Sequence, residues 1–346
     1  MAQVEQFFQA AQQAWAQAAQ VCQPQEYAYT IAGLGLQLRS VGNNLAERLT
    51  PALAHVATTA FLQPGLTIYA WDGNETGIAL PPILFTAALA SGQSTAWGYF
   101  LHDERFQLFF QPALQTLYLL DLAQALAIYW VGDAHQLALS DGGAPLLTLL
   151  HWWLGRQAYQ VVHGAAVGTS AGGALLIGKS GSGKSTTALA ALHAGLAYVG
   201  DDYCLVASQA KPMVYSLYSS GKLNFADELY FPHFRPARTT LAYAQADKAL
   251  FFFAKQFAQQ VVAALPLKAI LLPAICPSER SSLCEVSPAQ AVLAMAPSTI
   301  FQLVGARPQT MQQLSLLARQ LPCFRLRLGA RREEIPPLIA ERLANL

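Results

Sequence analysis

The chain has 346 residues, of which 53% are apolar and 12% are charged, with a formal net charge of +1. This composition excludes a disordered chain, and the lack of a basic run gives no sign of nucleic-acid binding. No apolar run reaches the roughly 18–20 residues that a membrane-spanning helix needs, so we expect no membrane partner. The best candidate, 117–132, contains Asp121 and Gln124 and is interpreted as two strands.

The N-terminal segment carries Glu5 and no basic leader, which predicts that the chain has no secretory signal. The five cysteines of the whole chain include no C-x-x-C pair, a pattern that favours reduced thiols over disulfides or a structural zinc site. We therefore expect a cytoplasmic protein, in a compartment where ATP is available. Assembly into a homo-oligomer stays open.

The first part of the chain predicts a β-rich α+β domain over residues 1–142. A Gln/Ala-rich helix with apolar side chains on one side is predicted over 2–21. Short β-rich segments follow from 27 to 132, including one strand over 29–38. The histidines of this domain have no cysteine or carboxylate cluster at ligand spacing and are interpreted as structural or surface residues: His55, His102 and His135.

The second predicted domain, residues 143–346, contains the most informative stretch of the sequence, 178–185. It fits the phosphate-binding pattern G-x-x-x-x-G-K-[ST], between a strand predicted over 173–177 and a helix predicted over 186–192. Such glycines let backbone N–H groups surround phosphate oxygens, while Lys184 would contact the β- and γ-phosphates and Ser185 would ligate Mg²⁺. The predicted nucleotide-binding residues are Gly178, Lys179, Ser180, Gly181, Ser182, Gly183, Lys184, Ser185 and Thr186.

Two adjacent carboxylates, Asp201 and Asp202, follow this stretch at the end of a short apolar strand. A kinase needs a second metal ligand and a group that accepts the proton of the acceptor hydroxyl. Adjacent carboxylates beside a cation need not share one pKa, so one can bind Mg²⁺ while the other acts as a base. His163 lies on the predicted strand before the loop and would face the γ-phosphate if those two strands are neighbours.

Three motifs resemble, in their order and spacing, the catalytic core of HPr kinase/phosphorylase. They are similar more closely to the HPr-kinase-related serine kinases of bacterial gene clusters, some of which modify ribosomally made peptides. The motifs are His163-Gly164-Ala165-Ala166-Val167, then Gly178 to Ser185, then Gly195-Leu196-x-x-Val199-Gly200-Asp201-Asp202.

The resemblance implies an α/β core related to phosphoenolpyruvate carboxykinase, ATP with Mg²⁺, and transfer to a seryl hydroxyl. It implies that Asp201 is the general base and that His163 supports it. It also implies that Ser185 and Asp202 form the metal shell, with Asp201 as a further candidate ligand. Lys184 and the loop amides would hold the phosphates.

The chain departs from this family at three points. Lys179 and Thr186 stand where the family commonly has acidic residues, and the second family signature, with its Glu-x-Arg-Gly core, is absent. A turn is predicted in its place at 219–222. Two readings of Lys222 stay open: it neutralises charge on the transferring phosphoryl group, or it is a plain surface lysine. The missing signature leaves open both a phosphorylase activity and HPr as the acceptor.

The leading hypothesis is an ATP-dependent kinase acting on a hydroxyl, most simply a serine of a peptide or small protein. The domain at 1–142 is hypothesised to select this acceptor. Three alternatives stay open: a small-molecule hydroxyl kinase, a nucleotide-binding scaffold without turnover, and a transporter-type ATPase. The last alternative lacks support, because the sequence has no Leu-Ser-Gly-Gly-Gln-type signature and no later apolar strand ending in Asp-Glu.

Overall fold

The computed structural model describes residues 2–59, 63–82, 93–95, 98–208, 211–244, 246–305 and 308–346. The chain divides into two compact units. Unit 1 comprises Met1–Pro51, Val56–Trp153 and Leu241–Ala246, and unit 2 comprises Ala52–His55, Leu154–Thr240 and Asp247–Leu346. The division predicted from the sequence, after residue 142, falls inside unit 1.

Unit 1 is built on an eight-stranded mixed sheet. Its strands are β1 (Gln25–Ile31), β2 (Leu34–Val41), β3 (Leu66–Asp72), β4 (Gln93–Thr95), β5 (Gly98–His102), β6 (Phe106–Gln111), β7 (Thr116–Asp121) and β8 (Leu126–Val131). The strand order is β1-β2-β3-β8-β7-β6-β5-β4. The pairs β2–β3 and β3–β8 are parallel, and the other pairs are antiparallel. The two strands predicted within 117–132 are confirmed as β7 and β8.

The helices that the structure describes in this part of the chain are α1 (Ala2–Val21), α2 (Asn43–Leu49), α3 (Gly73–Thr76), α4 (Leu139–Gly143) and α5 (Leu147–Leu154). The predicted N-terminal helix is confirmed as α1, and its apolar side covers one face of the sheet. Phe8 and Trp15 are buried there against Trp71 and Phe106. Within the described residues, no helix combines the length and the apolar character needed to cross a membrane.

The single strand predicted over 29–38 is wrong. The structure has a hairpin, β1 and β2, that turns at Ala32 and Gly33, whose φ angles are +50° and +82°. Buried side chains alternate within each strand, at Tyr29 and Ile31 in β1 and at Leu36 and Leu38 in β2. The alternation therefore shifts from odd to even positions at the turn, and the prediction of a single strand missed this change of phase.

Unit 2 is built on a second eight-stranded sheet and a separate two-stranded one. The strands are β9 (Gln160–Thr169), β10 (Gly172–Ile177), β11 (Ala197–Gly200), β12 (Tyr203–Ala207), β13 (Met213–Ser216), β14 (Ser220–Asn224), β15 (Lys248–Phe252), β16 (Ala264–Ile275), β17 (Ser282–Val286) and β18 (Cys323–Leu328). The main order is β10-β9-β12-β13-β16-β18-β17, with β11 also paired to β9 and β10 to β16. Strands β14 and β15 pair with each other.

The helices of unit 2 are α6 (Lys184–His193), α7 (Pro288–Gln302), α8 (Pro308–Gln320) and α9 (Ile335–Ala344). Helices α6 and α9 share one hydrophobic core with the sheet, and α7 and α8 share another. Alternate residues of β9 belong to the two cores, with Ala165 and Val167 in the first and Val162 and Ala166 in the second. Helices therefore cover both faces of the sheet, which is the mixed α/β architecture expected for this half.

Short 3-10 helices complete the described chain, at Pro51–Val56, Pro112–Leu114, Ala134–Gln136, Phe225–Tyr230, Pro232–Ala237 and Arg332–Glu334. The turn predicted at 219–222 is wrong, because these residues lead into and form β14. Lys222 pairs with Leu250 of β15 in an antiparallel register. The Ser-Ser-Gly composition is typical of a turn, but the neighbouring Tyr218 and Leu223 are buried and hold the segment against the core.

Candidate functional site

The glycine loop, residues 178–183, connects β10 to α6. The predicted strand before it and the predicted helix after it are confirmed. Gly181 and Gly183 have φ angles of +77° and +100°, a backbone conformation that favours glycine. A Cβ atom on Gly183 would also lie 2.3 Å from Leu328 Cδ1. The loop therefore brings the chain tightly to the N-terminus of α6, where free backbone N–H groups and the helix dipole favour an anion.

Lys184 is the first residue of α6, and its side chain folds back over the loop. Its Nζ donates hydrogen bonds to the carbonyl oxygens of Gly178, at 2.8 Å, and Lys179, at 3.1 Å. Burial lowers the pKa of Lys184, and the neighbouring Asp201 and Asp202 oppose that effect. The loop thus holds a buried cation at the point where the backbone already favours negative charge.

Asp201 follows β11 and is almost completely buried, with 2% of its surface exposed. Burial raises the pKa of Asp201 to about 7, and the charge of Asp202 raises it in the same direction. The Ser185 hydroxyl and the Asp202 backbone N–H oppose this rise, but neither meets hydrogen-bond geometry with the Asp201 carboxylate. A carboxyl group that titrates near neutral pH has the proton affinity that a general base needs.

Asp202 has a different environment from its neighbour. Its backbone is left-handed, with a φ of +64°, and its carboxylate forms an ion pair with the Lys222 ammonium. Burial raises the pKa of Asp202, but the charge and hydrogen bond of Lys222 lower it more. The net pKa of Asp202 is therefore below its ordinary value, and the carboxyl is ionised near neutral pH. The pKa values of the two aspartates therefore differ, as expected for adjacent carboxylates beside a cation, while their roles as metal ligand and base stay predictions.

His163 lies on β9, directly opposite Tyr203 of β12. Its ring centroid is 5.4 Å from that of Tyr203, and its backbone N–H donates to Thr299 Oγ1 at 3.2 Å. Burial lowers the pKa of His163 to about 4, and the Lys184 ammonium lowers it in the same direction. The imidazole is therefore neutral near pH 7, and it can accept or donate a hydrogen bond without carrying charge into the site.

Several buried polar atoms of this region have no hydrogen-bond partner among the described residues. They are His163 Nδ1, Ser182 Oγ, Thr187 Oγ1 and both carboxylate oxygens of Asp201. Such atoms are costly to leave unpaired, and their gathering around the loop fits a site that is completed by a bound polar group. Hydroxyl and carboxylate oxygens are also the ligand types that Mg²⁺ takes from proteins.

A cavity of about 850 Å³ opens beside the glycine loop, within unit 2. The predicted site residues that line it are His163, Ser180, Gly181, Gly183, Lys184, Ser185, Thr186, Asp202 and Lys222. Gly178, Lys179, Ser182 and Asp201 do not line it. Three motifs separated in sequence are thus gathered around one cavity, whose volume is in the range of small-molecule and cofactor sites. The chemical roles of these residues stay predictions.

The part of the chain that the structure describes has no group of three or more His, Cys, Asp or Glu side chains arranged to hold a metal ion. Mg²⁺ commonly binds through one or two protein carboxylates together with phosphate oxygens and water, so the predicted ion does not require such a group.

Other cavity residues carry no motif and were missed in the sequence. Lys248 begins β15, and Asp227, Tyr230 and Arg332 lie on short 3-10 helices. Arg332 places its guanidinium carbon 4.2 Å from the centroid of the Tyr230 ring and pairs with Asp227 at 3.2 Å. Only the tertiary fold brings these residues to the loop, because Lys248 and Arg332 are far from it in sequence.

No protein-family model matches this sequence, and no curated protein matches it. Among solved structures, the Hpr(Ser) kinase/phosphatase from Coxiella burnetii is similar over 54% of this chain and 94% of that chain. The sequence identity is 13% and the TM-score is 0.30. A TM-score of this size supports no argument about fold or activity.

Proposed function

We propose that unit 2 is an ATP- and Mg²⁺-dependent kinase that transfers a phosphoryl group to a hydroxyl, namely a serine of a peptide or small protein. One observation carries the proposal. The glycine loop with its buried Lys184 shares a cavity with Asp202, and Asp201, a carboxyl with a pKa raised to about 7, directly precedes Asp202 in the chain. Phosphate binding needs only the loop, whereas phosphoryl transfer also needs the two carboxylates.

The loop and Lys184 would hold the phosphates and stabilise the charge that develops on them. Bound ATP would supply the phosphoryl group, and Mg²⁺ would neutralise charge on the phosphates. Among the cavity residues, Ser185 and Asp202 would provide oxygen ligands for this ion. Asp202 would exchange its ion pair with Lys222 for the metal, which would leave the Lys222 ammonium to act on the phosphoryl oxygens.

Asp201 would accept the proton of the acceptor hydroxyl, whose oxygen then bonds to the γ-phosphorus while ADP leaves. Its carboxylate oxygens are buried, so the hydroxyl, or one intervening water, must come within hydrogen-bond reach when the substrates bind. His163 would support this step as a neutral hydrogen-bonding group. The motif order, with His163 before the loop and the aspartates after it, supports these roles by its resemblance to HPr-kinase-related serine kinases.

The direct test incubates the protein with ATP labelled at the γ-phosphate, Mg²⁺ and a pool of serine-containing peptides. The proposal predicts that the label appears on a serine of the peptide, located by mass spectrometry. With ATP labelled at the α-phosphate instead, the peptide should remain unlabelled. Release of labelled phosphate without labelled peptide would indicate an ATPase. Tight nucleotide binding with no turnover of any acceptor would favour a scaffold, and label on small hydroxyl compounds alone would favour a small-molecule kinase.

A further inference from the structure

Lys248 is a cavity cation that the proposed chemistry leaves unused. It begins β15, opposite Asn224 of β14, two residues along the strand from Lys222. Because side chains alternate along paired strands, Lys222, Asn224 and Lys248 lie on one face. Leu223 and Ala249, on the other face, are buried in the core of unit 2. The β14–β15 pair therefore directs both ammonium groups away from that core and into the cavity.

The other cavity cations are already engaged. Lys184 is hydrogen-bonded to loop carbonyls, Lys222 is paired with Asp202, and Arg332 is paired with Asp227. No ion pair of the described residues includes Lys248, and the cavity residue Glu333 lies beyond ion-pair distance from it. The cavity carboxylates Asp202 and Asp227 already pair with Lys222 and Arg332, so the half-buried Lys248 ammonium favours an anion from outside the chain.

Lys248 lies near the reacting end of the site, because it lines the same cavity as Lys184 and Asp202 and shares a face of the strand pair with Lys222, which contacts Asp202. In the function proposed above, the loop and Lys184 hold the phosphate oxygens from one side. The acceptor must approach the phosphoryl group in line, from the side where the aspartates lie. Lys222 on β14 contacts Asp202 directly, so the β14–β15 pair borders this acceptor side.

We propose that Lys248 binds an acidic group of the acceptor, so that the kinase selects serine peptides with a carboxylate close to the serine. This inference rests on the function proposed above and adds to it a substrate class. Lys248 would also disfavour peptides with a basic residue at that position, because the two positive charges repel each other.

The test uses three synthetic peptides that differ only in the residues flanking one serine, which are Glu, Gln or Lys. Fluorescence anisotropy measures their binding to the protein saturated with Mg²⁺ and a non-hydrolysable ATP analogue, and label transfer is measured in parallel. Wild type should bind the Glu peptide about tenfold more tightly than the Gln peptide. Lys248→Gln should abolish the difference, Lys248→Glu should reverse it towards the Lys peptide, and Lys248→Arg should retain it.

Lys255→Gln, at an exposed lysine outside the cavity, is the matched control and should behave as wild type. Equal binding of the Glu and Gln peptides by wild type would overturn the inference. So would a loss of nucleotide affinity in Lys248→Gln as large as the loss of peptide affinity, because Lys248 would then act on the nucleotide. If wild type labels the peptides but does not prefer the Glu peptide, only the inference about Lys248 is contradicted. If it prefers the Glu peptide but labels none, only the proposed kinase activity is contradicted.

Discussion

The glycine loop and the β14–β15 pair line the same cavity, but they present different kinds of group to it. The loop presents backbone N–H groups, held by glycine dihedral angles and by the start of α6. The β14–β15 pair presents the ammonium groups of Lys222 and Lys248, at the ends of flexible side chains. Between them lies Asp202, which pairs with Lys222.

This difference separates what each region can recognise. Backbone N–H groups around a loop bind any phosphate chain, and they cannot be changed without changing the fold. Lysine side chains can exchange partners and be replaced singly, so they can tune transfer and acceptor choice. We therefore expect changes in the loop to affect nucleotide binding and stability, and changes in the β14–β15 pair to affect mainly transfer.

The largest effect is expected in the loop, from Lys184→Met. Removing the cation that would stabilise the transferring phosphoryl group should lower the transfer rate by about a thousandfold. Nucleotide affinity, measured by calorimetry, should fall as well. Lys255→Met serves as the control, because Lys255 is exposed and does not line the cavity. Wild-type transfer by Lys184→Met would remove the loop lysine from the mechanism.

A second expectation concerns Asp201, whose burial makes ionisation unfavourable. The folded protein keeps the Asp201 proton up to about pH 7, whereas the unfolded chain releases it near the ordinary value of 3.8. Unfolding therefore releases a proton between these values, so the free energy of unfolding should fall as pH rises through this window, by a few kcal/mol.

Asp201→Asn should remove this part of the pH dependence, so its stability relative to wild type should rise between pH 3.8 and about pH 7 and stay higher above that. Urea denaturation at a series of pH values measures both effects. Asp247→Asn, at an exposed carboxylate, is the matched control. A pH profile that is unchanged in Asp201→Asn would mean that this carboxyl is not buried in its neutral form.

Two glycine substitutions test whether the loop conformation is fixed by packing as well as by its dihedral angles. Gly181→Ala places a methyl group in open space, whereas Gly183→Ala places it 2.3 Å from Leu328 Cδ1. Both have positive φ angles, so both lose about 1 kcal/mol through backbone strain. Gly183→Ala should lose a further 1–2 kcal/mol or so, because Leu328 is buried and must move.

Thermal unfolding and nucleotide binding measure this pair of variants. Equal stabilities of Gly181→Ala and Gly183→Ala would show that Leu328 moves aside freely, and the loop would then be fixed by its dihedral angles alone.

The smallest effect is expected in the β14–β15 pair, from Lys222→Met. Asp202 would lose the ammonium that keeps it ionised, so the pKa of Asp202 should rise. Transfer should fall by about tenfold while the affinity for ADP changes little. Lys222→Arg should restore part of the rate. If Lys222→Met weakened ADP binding as strongly as transfer, the separation of the two regions proposed above would not hold.

The sequence revealed the loop and not the β14–β15 pair, for a physical reason. The loop is a local motif, in which glycine spacing fixes the backbone and the adjacent strand and helix have ordinary apolar patterns. Lys222 and Lys248 come together only through strand pairing across a segment of more than twenty residues that contains two 3-10 helices. The composition of 219–222 indicated a turn, and no local signal pointed to Lys248.

The two aspartates, Asp201 and Asp202, could be predicted from the sequence only in part. The apolar strand that ends at Gly200 placed both carboxylates at one strand end, as predicted, and adjacent carboxylates were expected to differ in pKa. Which of them is buried depends on the left-handed backbone of Asp202 and on its pairing with Lys222. Neither feature has a signature in the residue types.

The role of Asp201 as the base is tested most directly by comparing Asp201→Asn with wild type, in nucleotide binding and in single-turnover transfer from ATP labelled at the γ-phosphate. If Asp201 is the base, Asp201→Asn should bind Mg²⁺ and ATP about as well as wild type and transfer at least about a hundredfold more slowly. Transfer by Asp201→Asn at the wild-type rate would contradict this role, because the buried carboxyl beside the loop would then not be the base.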